Sequence, residues 1–184
     1  MRSRETTKEG GMTKHILAAT DGSDKAREAV AMAANLAKGL GARLTILHVV
    51  LHGLRAAEAG RLAEAERVLR RVTATAVPRM ENRPASMGDL FETSPGGIGE
   101  IVAVLGDGIA EEAADEARSI GASNVDTRVE LGDYAETILS VAQEIGADMI
   151  VVGSRGLGRF RGMLLGSVSR KIAQHAHCSV MVVR

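Results

Sequence analysis

The chain of 184 residues carries 23 lysines and arginines against 23 aspartates and glutamates, so its formal charge is zero and no global field draws it to nucleic acid or an anionic membrane. Aromatic residues make up only 2%, which excludes a base-stacking surface of the kind used on single strands and leaves the 45% apolar content to build an aliphatic core. The length suits one domain, the lone Cys178 excludes an internal disulfide framework and fits a reducing cytoplasm, and no apolar run approaches the ~20 residues of a membrane span.

Met1 to Gly11 is polar and lacks the apolar stretch of a signal peptide. Residues 1–12 are expected to be a disordered lead-in to a domain over 13–184, and Met12 is itself a candidate start. Ile16–Thr20 and Leu44–Val50 read as buried strands, short and apolar on both faces, as parallel strands under helices are. Between them Asp24–Leu40 repeats Ala26, Ala29, Val30, Ala33, Leu36, Ala37 and Leu40 at helical spacing, with Ser23 as N-cap and Gly41 as the stop.

The stretch from Leu51 to Gly97 is a variable insertion. Arg55–Ala76 has an amphipathic helical pattern whose Arg67, Arg70 and Arg71 read as a solvated face; from Pro78 to Gly97 the chain is loop-like. Ile98–Ile120 is expected to be helical through Ile98, Ile101, Val102, Leu105 and Ile109. Gly106 and Gly108 cost it about 1 kcal/mol each and invite a break.

Val125–Leu131 alternates strictly, with Val125, Thr127, Val129 and Leu131 on one face and Asp126, Arg128 and Glu130 on the other, as an edge strand does. Tyr134–Ile145 opens with Asp133 and Glu136 in a capping-box pattern and stops at Gly146. Met149–Val152 is a further buried strand, Val168–His175 a last helix, and Val180–Val183 a last strand. The alternation implies an α/β fold: a five-stranded, mostly parallel sheet, helices on both faces, right-handed crossovers.

Ligands of open parallel sheets bind beyond the carboxyl ends of the strands, at the topological switch point. Thr20-Asp21-Gly22-Ser23 follows the first strand, and His48-Val49-Val50 ends the second. After the fourth comes Gly153-Ser154-Arg155-Gly156-Leu157-Gly158, then a run to Gly166-Ser167 at the start of the last helix. Glycines let a backbone approach an anion closely, a helix amino end offers free N–H groups and the positive end of its dipole, and Ser167 adds a hydroxyl. Arg155, Arg159 and Arg161 add positive charge to a neutral chain. Such a loop suits a polyphosphate, although it is neither a Walker loop nor a GxGxxG fingerprint; the competing reading is a glycine-rich surface loop with arginines for solubility.

Gly153-x-x-Gly156, nine residues, then Gly166-Ser167 resembles the G-x2-G-x9-G-[ST] motif of nucleotide-binding universal stress proteins. The opening strand through Ala19-Thr20-Asp21-Gly22-Ser23 and the ending from His175 to Arg184 are similar to theirs, so the likeness covers Lys14–Val50 and roughly Ala110–Arg184. It implies a Rossmann-like sheet in the order 3-2-1-4-5, a homodimer joined by last strands, and bound ATP, or ADP or AMP, with Mg²⁺. It places Thr20 and Asp21 near the ribose, phosphates or Mg²⁺, with Asp21 the candidate metal contact. Val49 would meet adenine through its backbone. Gly153, Gly156, Gly166 and Ser167 would hold the phosphates, with Val152, Ser154, Arg155 and Val168 alongside. The residues alone leave Asp21 open as a turn residue and Val49 as plain core. The chain departs from the family pattern in its longer 51–97 stretch and in His177-Cys178-Ser179, where a common version has proline on both sides of the cysteine.

His175, His177 and Cys178 tempt a metal reading, but their spacing matches no ligand set and a helix-to-strand turn explains them. His15 and His48 flank strands and read as structural; Asp133 and Glu136 read as caps; Cys178 lacks a dyad partner and reads as a buried thiol. A last strand at a sheet edge, apolar on both faces through Val180, Met181, Val182 and Val183, invites a second copy as its cover. The resulting expectation is a cytoplasmic, ATP-binding stress-response module acting through dimers and unidentified protein clients. A slow ATPase and a nucleotide-free interaction module are the competitors. The arginine-lined loop also leaves AMP or a cyclic nucleotide open.

Overall fold

Every strand anticipated from its apolar run is present and pairs in parallel with its neighbours. The computed structural model describes residues 13–50, 97–156 and 165–184. The lead-in, the helix expected over Arg55–Ala76 with its arginines, the loop from Pro78, and Arg159 and Arg161 lie outside them. In chain order the elements are β1 His15–Thr20, α1 Asp24–Leu40, β2 Arg43–Val50, α2 Gly97–Ile120, β3 Val125–Leu131, α3 Tyr134–Glu144, β4 Met149–Gly153, α4 Ser167–His175 and β5 Ser179–Val183. The five-stranded sheet runs β3-β2-β1-β4-β5, the order expected.

Alternation along the strands divides the core between two faces. Ile16, Ala18, Leu44, Ile46 and Val151 pack against α1 and α2 through Ala29, Val30, Ala33, Ala114 and Ala117. Leu17, Leu47, Val49, Ile150 and Val152 pack against α3 and α4 through Ile138, Val141, Ala142 and Ile172. Alanine dominates the helix side because small side chains let helices lie close on a sheet of branched residues.

The anticipated caps form. Ala26 N donates to Ser23 Oγ (3.2 Å), and Gly41 takes φ 63° at the end of α1. Glu136 N donates to the Asp133 carboxylate (3.1 Å), but the Glu136 side chain accepts from Lys171 Nζ (2.8 Å) on α4 instead of turning back. The capping box is therefore half made, and its second half joins α3 to α4.

The break expected at Gly106 and Gly108 does not occur: α2 runs unbroken through both. Propensity loses to packing here. A Cβ on Gly106 would stand 3.0 Å from Val129 Cγ1 and 3.3 Å from His48 Cδ2 and Val50 Cγ2, so the missing side chain lets α2 lie against β2 and β3.

β3 is an edge strand, as its alternation implied, and Leu131 at its end is 62% exposed. β5 is the other edge, and Val180 to Val183 are each half-buried. His15 is structural, as expected: its buried ring donates from Nδ1 to Ile145 O (3.2 Å) and accepts at Nε2 from the Thr45 hydroxyl (2.8 Å), and burial lowers its pKa. His175 to Ser179 turn from α4 into β5, and no cluster of metal-ligating side chains exists among the described residues.

Candidate functional site

The strand order reverses at β1. The chain leaves β1 through α1 toward β2 on one side, and leaves β4 through α4 toward β5 on the other. The loops after β1 and β4 therefore border a shared crevice, the place where such sheets take ligands.

The first loop is shaped by Asp21 and Gly22. Ser23 N donates to Asp21 Oδ1 (3.0 Å), Gly22 N donates to Thr20 Oγ1 (3.2 Å), and Gly22 takes φ 75°, which the turn requires. Asp21 thus makes the turn that precedes α1, and it also faces the second loop. A Cβ on Gly156 would overlap Asp21 Oδ2, so the two loops meet where Gly156 has no side chain.

Gly153 brings the elements together from below. A Cβ there would stand 2.9 Å from Lys25 O and 3.2 Å from Ala26 N, so the first turn of α1 rests on the end of β4. Gly166 N-caps α4 at φ −69°, and a Cβ on it would meet only ordinary contacts from 3.4 Å outward. The left-handed glycines of the described residues are Gly22, Gly41, Gly121 and Gly146. The motif glycines therefore act by lacking a side chain, not by turning the backbone left-handed.

Ser154 is buried and ties the second loop down: its N donates to Val183 O (2.6 Å) and its O accepts from Gly166 N (2.8 Å). Arg155 and Gly156 are exposed beyond it, and Ser167 is exposed at the start of α4. The amides of Ser167 and Val168 lie in the first turn, where an α-helix offers them no internal acceptor. Val152 and Val168 face the core on the α3–α4 side.

Val49 is a core residue by its side chain, 5% exposed. Its backbone tells more. Arg43 N donates to Lys14 O, and a strand alternates, so residues 43, 45, 47 and 49 aim their peptide groups toward β1. The β1–β2 pairing ends at Thr20 with His48, so the Val49 carbonyl points past the last paired residue of β1 and over the crevice.

Two residues at this edge carry more than their sequence context suggested. His48 Nδ1 donates to Thr20 O (2.9 Å), fixing the end of β1; burial lowers its pKa, and nearby Asp21 opposes that shift. Ser169, which carries no motif signal of its own, is buried with its hydroxyl on Ser154 O; its place two residues past Gly-Ser at a helix start is the one sequence hint. Beside the crevice, Thr20, Gly22 and Arg27 line a shallow cleft with Ile109, Glu112 and Glu116 of α2.

The comparisons place the chain by its sequence and its fold. Residues 12–184 match the model of the universal stress protein family. The chain is 34% identical over 173 residues to universal stress protein YxiE of Bacillus subtilis, covering 94% of this chain and all of that protein. It superposes on universal stress protein UspA from Lactobacillus plantarum with TM-score 0.66 and 22% identity, over 95% of this chain and 99% of that one. It also superposes on a universal stress protein solved in complex with cAMP, with TM-score 0.58 and 25% identity, over 95% of this chain and 98% of the other. With a match across nearly its whole length, and with the parallel sheet and converging loops described above, this chain belongs to the universal stress protein family.

Proposed function

We propose that this protein binds an adenine nucleotide, ATP with Mg²⁺ foremost, across the carboxyl ends of β1 and β4, and acts as a regulatory module rather than an enzyme. The observation that carries the reading is the convergence of Asp21, Gly156 and the amino end of α4 at the switch point. Gly166 adds weight: neither its φ nor the space around it demands glycine, so the bare backbone there suits a ligand more than the fold. The related structure holding cAMP supports an adenine nucleotide as the ligand class.

The residues fit the roles. The amides of Ser167 and Val168 and the Ser167 hydroxyl supply donors for phosphate oxygens, with the helix dipole behind them. Arg155 supplies exposed positive charge at the same loop. The Val49 carbonyl is an acceptor, which matches the amino group of adenine and opposes the carbonyl of guanine. Mg²⁺ is held by one or two carboxylates plus phosphates, and Asp21 is such a carboxylate. When bound, the ion would neutralise phosphate charge; the chain's part is to place Asp21, which the Ser23 amide does.

Two copies joined along β5 complete the reading. The strand is an edge, half-buried from Val180 to Val183, and a two-fold partner would cover it. Sedimentation equilibrium should return twice the chain mass at micromolar concentration; a single-chain species throughout would remove the dimer from the proposal. Clients would read the surface that nucleotide alters, in the cytoplasm.

The nucleotide reading is tested on freshly purified protein, denatured and resolved by anion exchange against nucleotide standards. Adenine nucleotide approaching one per chain is expected. Protein that carries none and also fails to take up added ATP with Mg²⁺ would leave a nucleotide-free interaction module.

A further inference from the structure

The loop between β4 and α4 is closed at its base by the backbone of a single residue, Ser154. Ser154 O accepts from Gly166 N at 2.8 Å and from Ser169 Oγ at 3.1 Å, while Ser154 N donates to Val183 O at 2.6 Å. The Gly166 amide is therefore spent on the loop's own stem. Of the first-turn donors of α4, those of Ser167 and Val168 come next along the chain, and their direction depends on how α4 is seated over Ser154.

Ser169 lies where α4 meets Ser154. It is 3% exposed and Ser154 is 4% exposed, so their bond is shielded from water. The hydroxyl also lies 3.1 Å from Gly166 O, the carbonyl that accepts the first helical bond, from Arg170 N at 3.0 Å. One side chain thus bridges the outgoing stem of the loop, at Ser154, and the incoming stem, at Gly166. Lys171 also ties α4 by its side chain, to Glu136 (2.8 Å) and Asp133 (3.7 Å), but these pairs are exposed and reach α3 rather than the loop. Exposed pairs of that kind fix little.

We propose that Ser169 is the positioning residue of the phosphate-binding loop. It does not touch nucleotide; it holds the amino end of α4 against the β4 stem so that the Ser167 and Val168 amides converge on phosphate. The proposal rests on the nucleotide reading above. Removing the hydroxyl leaves Ser154 O one partner and frees the first turn of α4 to tilt. Binding that depends on phosphate then suffers, while binding through the base does not.

The test compares ATP with Mg²⁺, by calorimetry, against adenosine, by ligand-detected NMR, on wild type, Ser169→Ala and Ser169→Thr. Ser169→Ala should weaken ATP about 10-fold, the size of one buried hydrogen bond, and leave adenosine within about twofold. Ser169→Thr, which keeps the hydroxyl, should recover most of the ATP affinity. If Ser169→Ala does not fold, Ser169→Cys carries the same expectation, because a thiol is a weak donor of similar size. Equal weakening of ATP and adenosine would reduce Ser169 to a stabilising residue and overturn the proposal. Unchanged ATP affinity would overturn it as well. Wild type that binds neither ligand overturns the nucleotide reading itself, a result distinct from both.

Discussion

Gly153→Val should lower the stability of the fold by about 2–3 kcal/mol, the usual cost of forcing side-chain atoms into a filled site. The new Cβ would stand 2.9 Å from Lys25 O and 3.0 Å from Lys25 C, and both are backbone atoms that no rotamer change can move aside. α1 must therefore lift from the end of β4, or β4 must bend. For a chain of this length the melting midpoint should fall by about 5–10 °C. Gly39→Ala is the matched control. Gly39 lies in α1 with nothing within 4 Å of its added Cβ, so alanine there should raise stability by up to about 1 kcal/mol. Urea unfolding of the two variants reads both signs. An unchanged midpoint for Gly153→Val would mean that α1 is not seated on β4 as described.

Gly156→Val should separate site from fold. Gly156 is exposed, its φ is not left-handed, and the atom its Cβ would overlap is the end of the Asp21 side chain. Asp21 can swing aside at little cost to the fold, so the melting midpoint should stay within about 2 °C, as for most surface substitutions. Swinging aside gives up the bond from Ser23 N and moves the carboxylate from its place beside the loop. ATP affinity should then fall about 30-fold, near 2 kcal/mol, the worth of a hydrogen bond to a charged group. Calorimetry with ATP and Mg²⁺ on a variant of unchanged circular dichroism decides it. Wild-type affinity in Gly156→Val would remove this loop from the site.

The architecture was legible because its signals are local. Apolar runs such as Leu44–Val50 mark strands covered on both faces, and Ser23 and Gly41 mark helix ends by chemistry that needs no distant partner. The alternation of Val125–Leu131 placed it at an edge, where it lies. Gly106 was misjudged for the opposite reason. Its helix cost is local, whereas its benefit depends on Val129 and Val50, brought to it by β3 and β2.

The site follows the same division. The spacing of Gly153, Gly156 and Gly166 pointed to the loop, but it could not assign the glycines separate work. Gly153 exists for Lys25, and Gly156 for Asp21; both partners lie more than a hundred residues earlier and meet the loop only through the sheet. Val49 looked like core and is core by its side chain; only the strand register reveals where its carbonyl points. Ser169 stands near a helix start, which its sequence shows, but its partner is a main-chain carbonyl, and which carbonyl a serine meets leaves no trace in a sequence.

Occupancy of the crevice above β1 and β4 by an adenine nucleotide is read by calorimetric titration of nucleotide-stripped protein with ATP and Mg²⁺, run beside GTP and Mg²⁺. Saturation at one ATP per chain is predicted, with GTP at least about 10-fold weaker, because the Val49 carbonyl opposes a guanine oxygen. No saturable heat with ATP, and none with AMP or cAMP in its place, would mean that the crevice is not an adenine-nucleotide site.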